Sequence, residues 1–184
     1  MQFFALVAFV FTLLSAPAMA QSGDGDGFAP NVTLMTDGKT VPDHPLMYVD
    51  GSQGSLTDFA GDVLIVTLWQ ENCPFCVAEM PKLNRLNAEM RGEGVQVVAL
   101  GMDQSIGTIT AHLARSGLTN LRPIMDVEKF NGTILSVENF NRMSIATPTS
   151  FIVDKSGIVV AKVWGLVDWD SEAARGYLRQ LAAG

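Results

Sequence analysis

An α/β fold, a central mixed sheet with helices on both faces, is predicted by three features of the 184-residue sequence. Residues 63–69 and 95–100 are continuous apolar runs rich in β-branched side chains, the pattern of strands buried on both faces. Each is followed by a stretch whose apolar residues recur at three- and four-residue steps, the period of an amphipathic helix. The chain then closes with a strand pair and a last helix, so strands and helices alternate as in layered α/β domains.

Along the chain, residues 46–49 read as a short strand, and Asp50-Gly51-Ser52 marks a turn before residues 56–59. After the 63–69 strand, residues 74–91 read as a helix. Pro74 suits its first turn, where no N–H partner is needed, and Val77, Met80, Leu83, Leu86 and Met90 supply its apolar stripe. Pro81 lies inside that stripe and should kink the helix. After the 95–100 strand, residues 103–116 form a helix with Ile106, Ile109 and Leu113 on one face, closed by Gly117. A short strand at 122–125 and a helical stretch at 133–143 follow. Residues 149–154 and 158–163 flank the turn Asp154-Lys155-Ser156-Gly157 as a hairpin. Asp168 or Asp170 is expected to cap the final helix, which runs to about residue 183.

The first 20 residues carry no charged side chain, and 3–14 are apolar except for Thr12. That run is too short to span a bilayer, which needs about 20 residues. Ala18 and Ala20 supply the small side chains that signal peptidase accepts, so 1–20 read as a signal peptide cut before Gln21. An uncleaved anchor is the competing reading, and no cysteine follows to accept a lipid. Residues 21–45 are assigned to a flexible N-terminal segment that opens with a Gly/Asp-rich tail, and 46–184 to one domain. Removing 20 residues leaves 164, which hold the whole formal charge of −7, and export permits disulfides.

Composition narrows the function. Acidic side chains number 19 against 12 basic ones, with no basic stripe, so nucleic acid and anionic membranes are poor partners. Two cysteines are too few for a disulfide scaffold, and His44 and His112 are too scattered for a structural zinc site. No cofactor is called for. What remains is the pair itself: Cys73-Pro74-Phe75-Cys76, placed where a buried strand turns into a helix. Unpaired N–H groups at the helix start stabilise a thiolate, lowering a cysteine pKa from about 8.5 toward 7 or below. Cys73 would then be the exposed nucleophile and Cys76 the more buried resolving thiol. A purely structural staple is a weaker explanation, because so small a loop removes little unfolded-state entropy.

These residues resemble the thioredoxin superfamily and, within it, the TlpA/ResA-like thiol-disulfide reductases of the bacterial envelope, with a Redoxin-type domain. The resemblance rests on Leu56-Thr57-Asp58-Phe59-Ala60-Gly61, on Leu68-Trp69 leading to the cysteines, and on Ala78-Glu79-Met80-Pro81. It extends to Thr147-Pro148-Thr149-Ser150-Phe151-Ile152-Val153-Asp154 and to Gly165 with Asp168-Trp169. It implies a thioredoxin-like fold in which Pro148 is a cis-proline and the Thr147 backbone lies beside Cys73, ready to pair with a client strand. Glu79 matches an acid that takes the Cys76 proton, and Trp69 a tryptophan beside the active site. Thr147, Pro148, Trp69, Pro74 and Phe75 form the implied client-binding set.

Three positions depart from the superfamily pattern. Thr67 stands where many thioredoxins bury an aspartate, which puts more weight on Glu79. Asn72 replaces a common tryptophan, and the Pro74-Phe75 dipeptide has no His or Lys to stabilise a Cys73 thiolate, which Glu71 nearby also opposes, arguing for a reductant rather than a strong oxidant. The resemblance implies a periplasmic, monomeric reductase of protein disulfides, with apo-metalloproteins or apocytochromes as clients and a membrane donor of the DsbD/CcdA kind. A DsbA-like oxidase is the alternative. A Cu(I) metallochaperone is disfavoured by the two-residue gap between the cysteines and by the expected helical position of His112, and no metal site is assigned. Peroxidase chemistry is excluded by Gln70, where peroxiredoxins need threonine.

Overall fold

The computed structural model describes residues 31–127, 131 and 146–184. The signal segment, the Gly/Asp tail and the helix expected at 133–143 lie outside the described residues. The elements are β1 (Val32–Leu34), β2 (Leu46–Tyr48), β3 (Gln53–Gly54), a 3-10 turn (Leu56–Phe59), β4 (Val63–Trp69), α1 (Pro74–Met90) and β5 (Val95–Gly101). Then come α2 (Ile106–Arg115), β6 (Ile124–Asp126), β7 (Thr149–Val153), β8 (Val159–Trp164) and α3 (Glu172–Ala183). Among the described residues no helix is long and apolar enough to cross a membrane.

The strands form one mixed sheet in the order β1-β8-β7-β4-β5-β6-β2-β3. β4, β5 and β6 run parallel, while β7 pairs antiparallel with β4 and with β8. All seven residues of β4 are buried, as its unbroken apolar run predicts. Their side chains alternate between two cores. Val63, Ile65 and Trp69 join Met80, Leu83 and Leu86 of α1, Ile109 of α2 and Leu178 of α3. Leu64, Val66 and Leu68 join Leu46, Leu56, Phe151 and Val153 on the opposite face. Both parallel crossovers, through α1 and α2, step the same way along the sheet. Right-handed crossovers in one direction put their helices on one face. Among the described residues the other face is covered by the 3-10 turn and by Met35, Val41 and Phe59.

Both helix starts differ from expectation, α2 in its position and α3 in its cap. α2 begins at Ile106 with Ser105 as its cap, whose Oγ accepts from the Thr108 N–H at 3.1 Å, because Asp103 is engaged by the Glu71 N–H. α3 is capped by Ser171, whose Oγ accepts from Ala174 N–H at 3.2 Å. Asp168 and Asp170 turn instead to Lys82 and Arg85 on α1. Pro81 is exposed and sits within α1 without ending it. Residues 31–41, within the N-terminal segment, run along β8: Met35 N–H donates to Val160, and Val41 N–H to Gly157. β1 thereby covers an edge that would otherwise expose a row of unpaired backbone groups.

A buried asparagine ties the layers together. β6 reaches β5 only at Leu100 and Gly101, leaving the Val97 N–H without a strand partner on that side. Asn87 of α1 accepts it at 2.8 Å and donates to the Asn120 carbonyl at 2.6 Å. Asn87→Ala would leave the buried Val97 N–H without its acceptor and release the Asn120 carbonyl toward solvent. Urea unfolding of the variant should show a loss of about 1–3 kcal/mol.

Candidate active site

β4 delivers the chain to the carboxyl edge of the sheet, and after a link of four residues α1 begins. The short link is bolted to the β5–α2 junction. Met102 N–H donates to the Trp69 carbonyl at 2.9 Å, and Glu71 N–H donates to Asp103 at 3.2 Å. Cys73 is the N-cap of α1, in extended backbone, and its Sγ accepts from the Cys76 N–H at 3.1 Å. A sulfur bearing negative charge is favoured there by the helix dipole and the orphan N–H groups. Cys73 and Cys76 are joined as a disulfide with Cα atoms 5.2 Å apart. Their environments are unequal: Cys73 is half-buried, whereas Cys76 is only 1% exposed.

The loop leading into β7 meets this pair. The Thr147–Pro148 peptide is cis, and the Thr147 carbonyl oxygen lies 3.5 Å from Cys73 Sγ. Gly165 N–H holds the Pro148 carbonyl at 3.0 Å, linking that loop to the end of β8. Pro74 and Phe75 are exposed at the start of α1, Phe75 to 63%. Cys73, Pro74, Phe75 and Thr147 all have exposed surface here, while the Pro148 side chain beneath them is buried. Trp69, grouped by sequence with the client-contacting residues, has no exposed surface. It packs under the link with its ring centre 5.2 Å from that of His112.

Glu79, one turn beyond Cys76, is 1% exposed. Its Oε1 accepts two hydrogen bonds, from Trp169 Nε1 at 2.9 Å and from the Val167 N–H at 3.2 Å. Its Oε2 is buried with no hydrogen-bond partner among the described residues. Burial pushes the carboxyl pKa upward, against the opposing pull of the two hydrogen bonds and Lys82. At the position where thioredoxins often bury an aspartate, the Thr67 hydroxyl pairs with that of Ser150 at 2.9 Å. Glu71 is not a bare charge opposing Cys73: Arg115 of α2 holds its carboxylate at 2.9 Å. The partners Val167, Arg115 and Asp103 carry no local sequence signal, since each is brought in from an element distant along the chain.

Residues 29–175 match the Redoxin family. The chain belongs to that family. Its relatives include ResA thiol-disulfide oxidoreductases. One, from Bacillus thuringiensis (strain Al Hakam), is 28% identical over 155 residues, covering 84% of each chain. Another, from Geobacillus kaustophilus (strain HTA426), is 28% identical over 138 residues, covering 75% of each. Among solved structures, a putative thiol:disulfide interchange protein DsbE from Chlorobium tepidum superposes with a TM-score of 0.64 at 26% identity. That match covers 80% of this chain and 97% of the other. This Redoxin-family protein is a thiol-disulfide oxidoreductase of thioredoxin-like fold, related to the TlpA/ResA group.

The Glu79 carboxyl gives a pH signature for this oxidoreductase. Its folded pKa lies above the unfolded value, so the folded state holds the proton over a window that starts near the ordinary glutamate value and extends upward. Across that window stability falls as pH rises. Glu79→Gln removes the ionisation and keeps a carbonyl oxygen to accept from Val167 and Trp169. Thermal unfolding of the oxidised proteins should show the variant gaining on the wild type as the pH rises from about 4. A difference independent of pH would mean that Glu79 does not carry the shift.

Proposed function

We propose that this oxidoreductase works as an exported reductase of protein disulfides. The observation that carries the reading is Glu79, a buried carboxylate one turn from the buried cysteine, with one oxygen anchored and the other without a hydrogen-bond partner among the described residues. In the reduced protein the Cys73 thiolate attacks one sulfur of a client disulfide. The client S–S bond breaks, a Cys73–client bond forms, and the departing client sulfur takes a proton. Cys76 then gives its proton to Glu79 Oε2 and attacks Cys73 Sγ. The second client thiolate leaves, and two electrons have passed to the client. Because Oε1 already accepts from two N–H groups, Oε2 is the oxygen able to receive the proton.

Client geometry is supported by the surface grouping around Cys73. The Thr147 backbone at 3.5 Å from Cys73 Sγ can pair with an extended client segment, flanked by Pro148, Pro74 and the exposed Phe75. The leader-like residues 1–20 support export to the periplasm. Kinship with thiol-disulfide oxidoreductases supports protein disulfides as substrates. We assign the clients to proteins awaiting metal or haem insertion, and the electron source to a membrane reductant of the DsbD/CcdA kind.

Cys76→Ala should leave Cys73 trapped in mixed disulfides with exported proteins, visible as bands lost on adding reductant. If no adduct forms while the wild-type protein reduces insulin, Cys76 is not the resolving thiol. The Cys73–Cys76 couple should have a reduction potential below about −170 mV; a higher value would identify an oxidase. Glu79→Gln should slow resolution of the mixed disulfide at neutral pH by about a hundredfold, the lower end of general-base contributions, with client capture by Cys73 unchanged.

A further inference from the structure

The link between β4 and α1 contains one ion pair that the exchange chemistry above does not use. Glu71 lies two residues before the attacking sulfur, and its carboxylate is held by Arg115 Nη2 at 2.9 Å. Asp103 fixes the same residue from the other side by accepting its backbone N–H. Arg115 stands one turn beyond His112, whose ring packs on Trp69, so one face of α2 meets the link at both ends. The charged and titratable groups around Cys73, among the described residues, are Glu71 and Asp103 beside the link and Cys76, Glu79 and Lys82 on α1. His112 and Arg115 stand on α2. Lys82 is turned to Asp168. Arg115 is therefore the cation that meets the link, and both carboxylates there oppose a thiolate.

We propose that Arg115 is a positioning residue of the exchange reaction, which holds the Glu71 carboxylate against α2 and so keeps its charge from opposing the Cys73 thiolate. The inference rests on the reading of Cys73 as the nucleophile. An exposed pair contributes little to stability, at most about 1 kcal/mol, so its effect falls on the neighbouring sulfur rather than on the fold. A unit charge about 7 Å from a titrating group in a solvated setting shifts its pKa by roughly half a unit, and salt screens the effect. Dependence on both Glu71 and ionic strength therefore distinguishes this role from a packing contact.

The test is a titration of the Cys73 thiolate by its ultraviolet absorbance in reduced wild type, R115Q, R115K, E71Q and E71Q/R115Q, at low and high salt. R115Q should raise the Cys73 pKa by about half a unit at low salt and by less at high salt. R115K should restore most of the wild-type value. On the E71Q background, adding R115Q should move the pKa by less than half of what it does alone. An equal R115Q shift with and without Glu71, or no shift in R115Q at low salt, overturns the proposal. Far-UV circular dichroism checks that each variant is folded. Insulin reduction by the wild type separately scores the nucleophile reading: if it fails, that reading falls and Arg115's part in exchange falls with it, whereas intact insulin reduction with no R115Q shift removes the Arg115 assignment alone.

Discussion

The structure depends on burying β4 on both of its faces. A strand with apolar side chains on every residue has no face to offer water, so one layer must cover Ile65 and Trp69 and another Val66 and Leu68. The right-handed crossover from β4 to β5 then requires α1 to start directly above the strand's carboxyl end. That crossover brings a helix N-terminus, with its orphan N–H groups, to the end of the Trp69 link. Cys73 is the cap because the topology leaves the cap position there, and its sulfur takes the place of the Ser or Asp oxygen that caps an ordinary helix.

The same packing sets the two cysteines apart chemically. The stripe of α1 that faces the sheet contains Cys76 and Glu79, so a thiol and a carboxyl are drawn into the core along with Met80 and Leu83. A buried carboxylate is costly unless it is hydrogen-bonded, and the turn after β8 provides two N–H donors, both to one oxygen. This leaves the carboxyl anchored but not fully satisfied, with its pKa held above the ordinary range. The turn that supplies Val167 also sends the Gly165 N–H to Pro148, so one short segment positions the acid and the client-facing loop together. On the opposite side, the β5–α2 junction fixes the link through Met102 and Asp103, and the far end of α2 holds it through Arg115.

Much of this was legible in the sequence. Strand β4, the start of α1 at Pro74 and the β7–β8 hairpin follow from local patterns, because burial on two faces, proline's missing N–H and turn chemistry leave direct marks on residue choice. The exchange pair followed from two cysteines at a strand-to-helix junction. The helix caps did not: Ser105 and Ser171 compete with nearby aspartates of equal capping propensity. The aspartates were drawn away by Glu71, Lys82 and Arg85, partners far off in sequence. β1 was missed because an exposed edge strand of three residues has almost no hydrophobic alternation to read.

The sequence by itself determined the fold class and the position of the dithiol, since both depend on spacing along the chain, and the family resemblance singled out Glu79 as the candidate acid near it. Only the tertiary structure decided how those groups are tuned. Which Glu79 oxygen is engaged, that Trp69 is wholly buried and that Glu71 is neutralised by Arg115 all depend on contacts between elements 30 or more residues apart. Burial and charge pairing are properties of neighbours in space, and the order of residues does not contain them until the sheet has closed around β4.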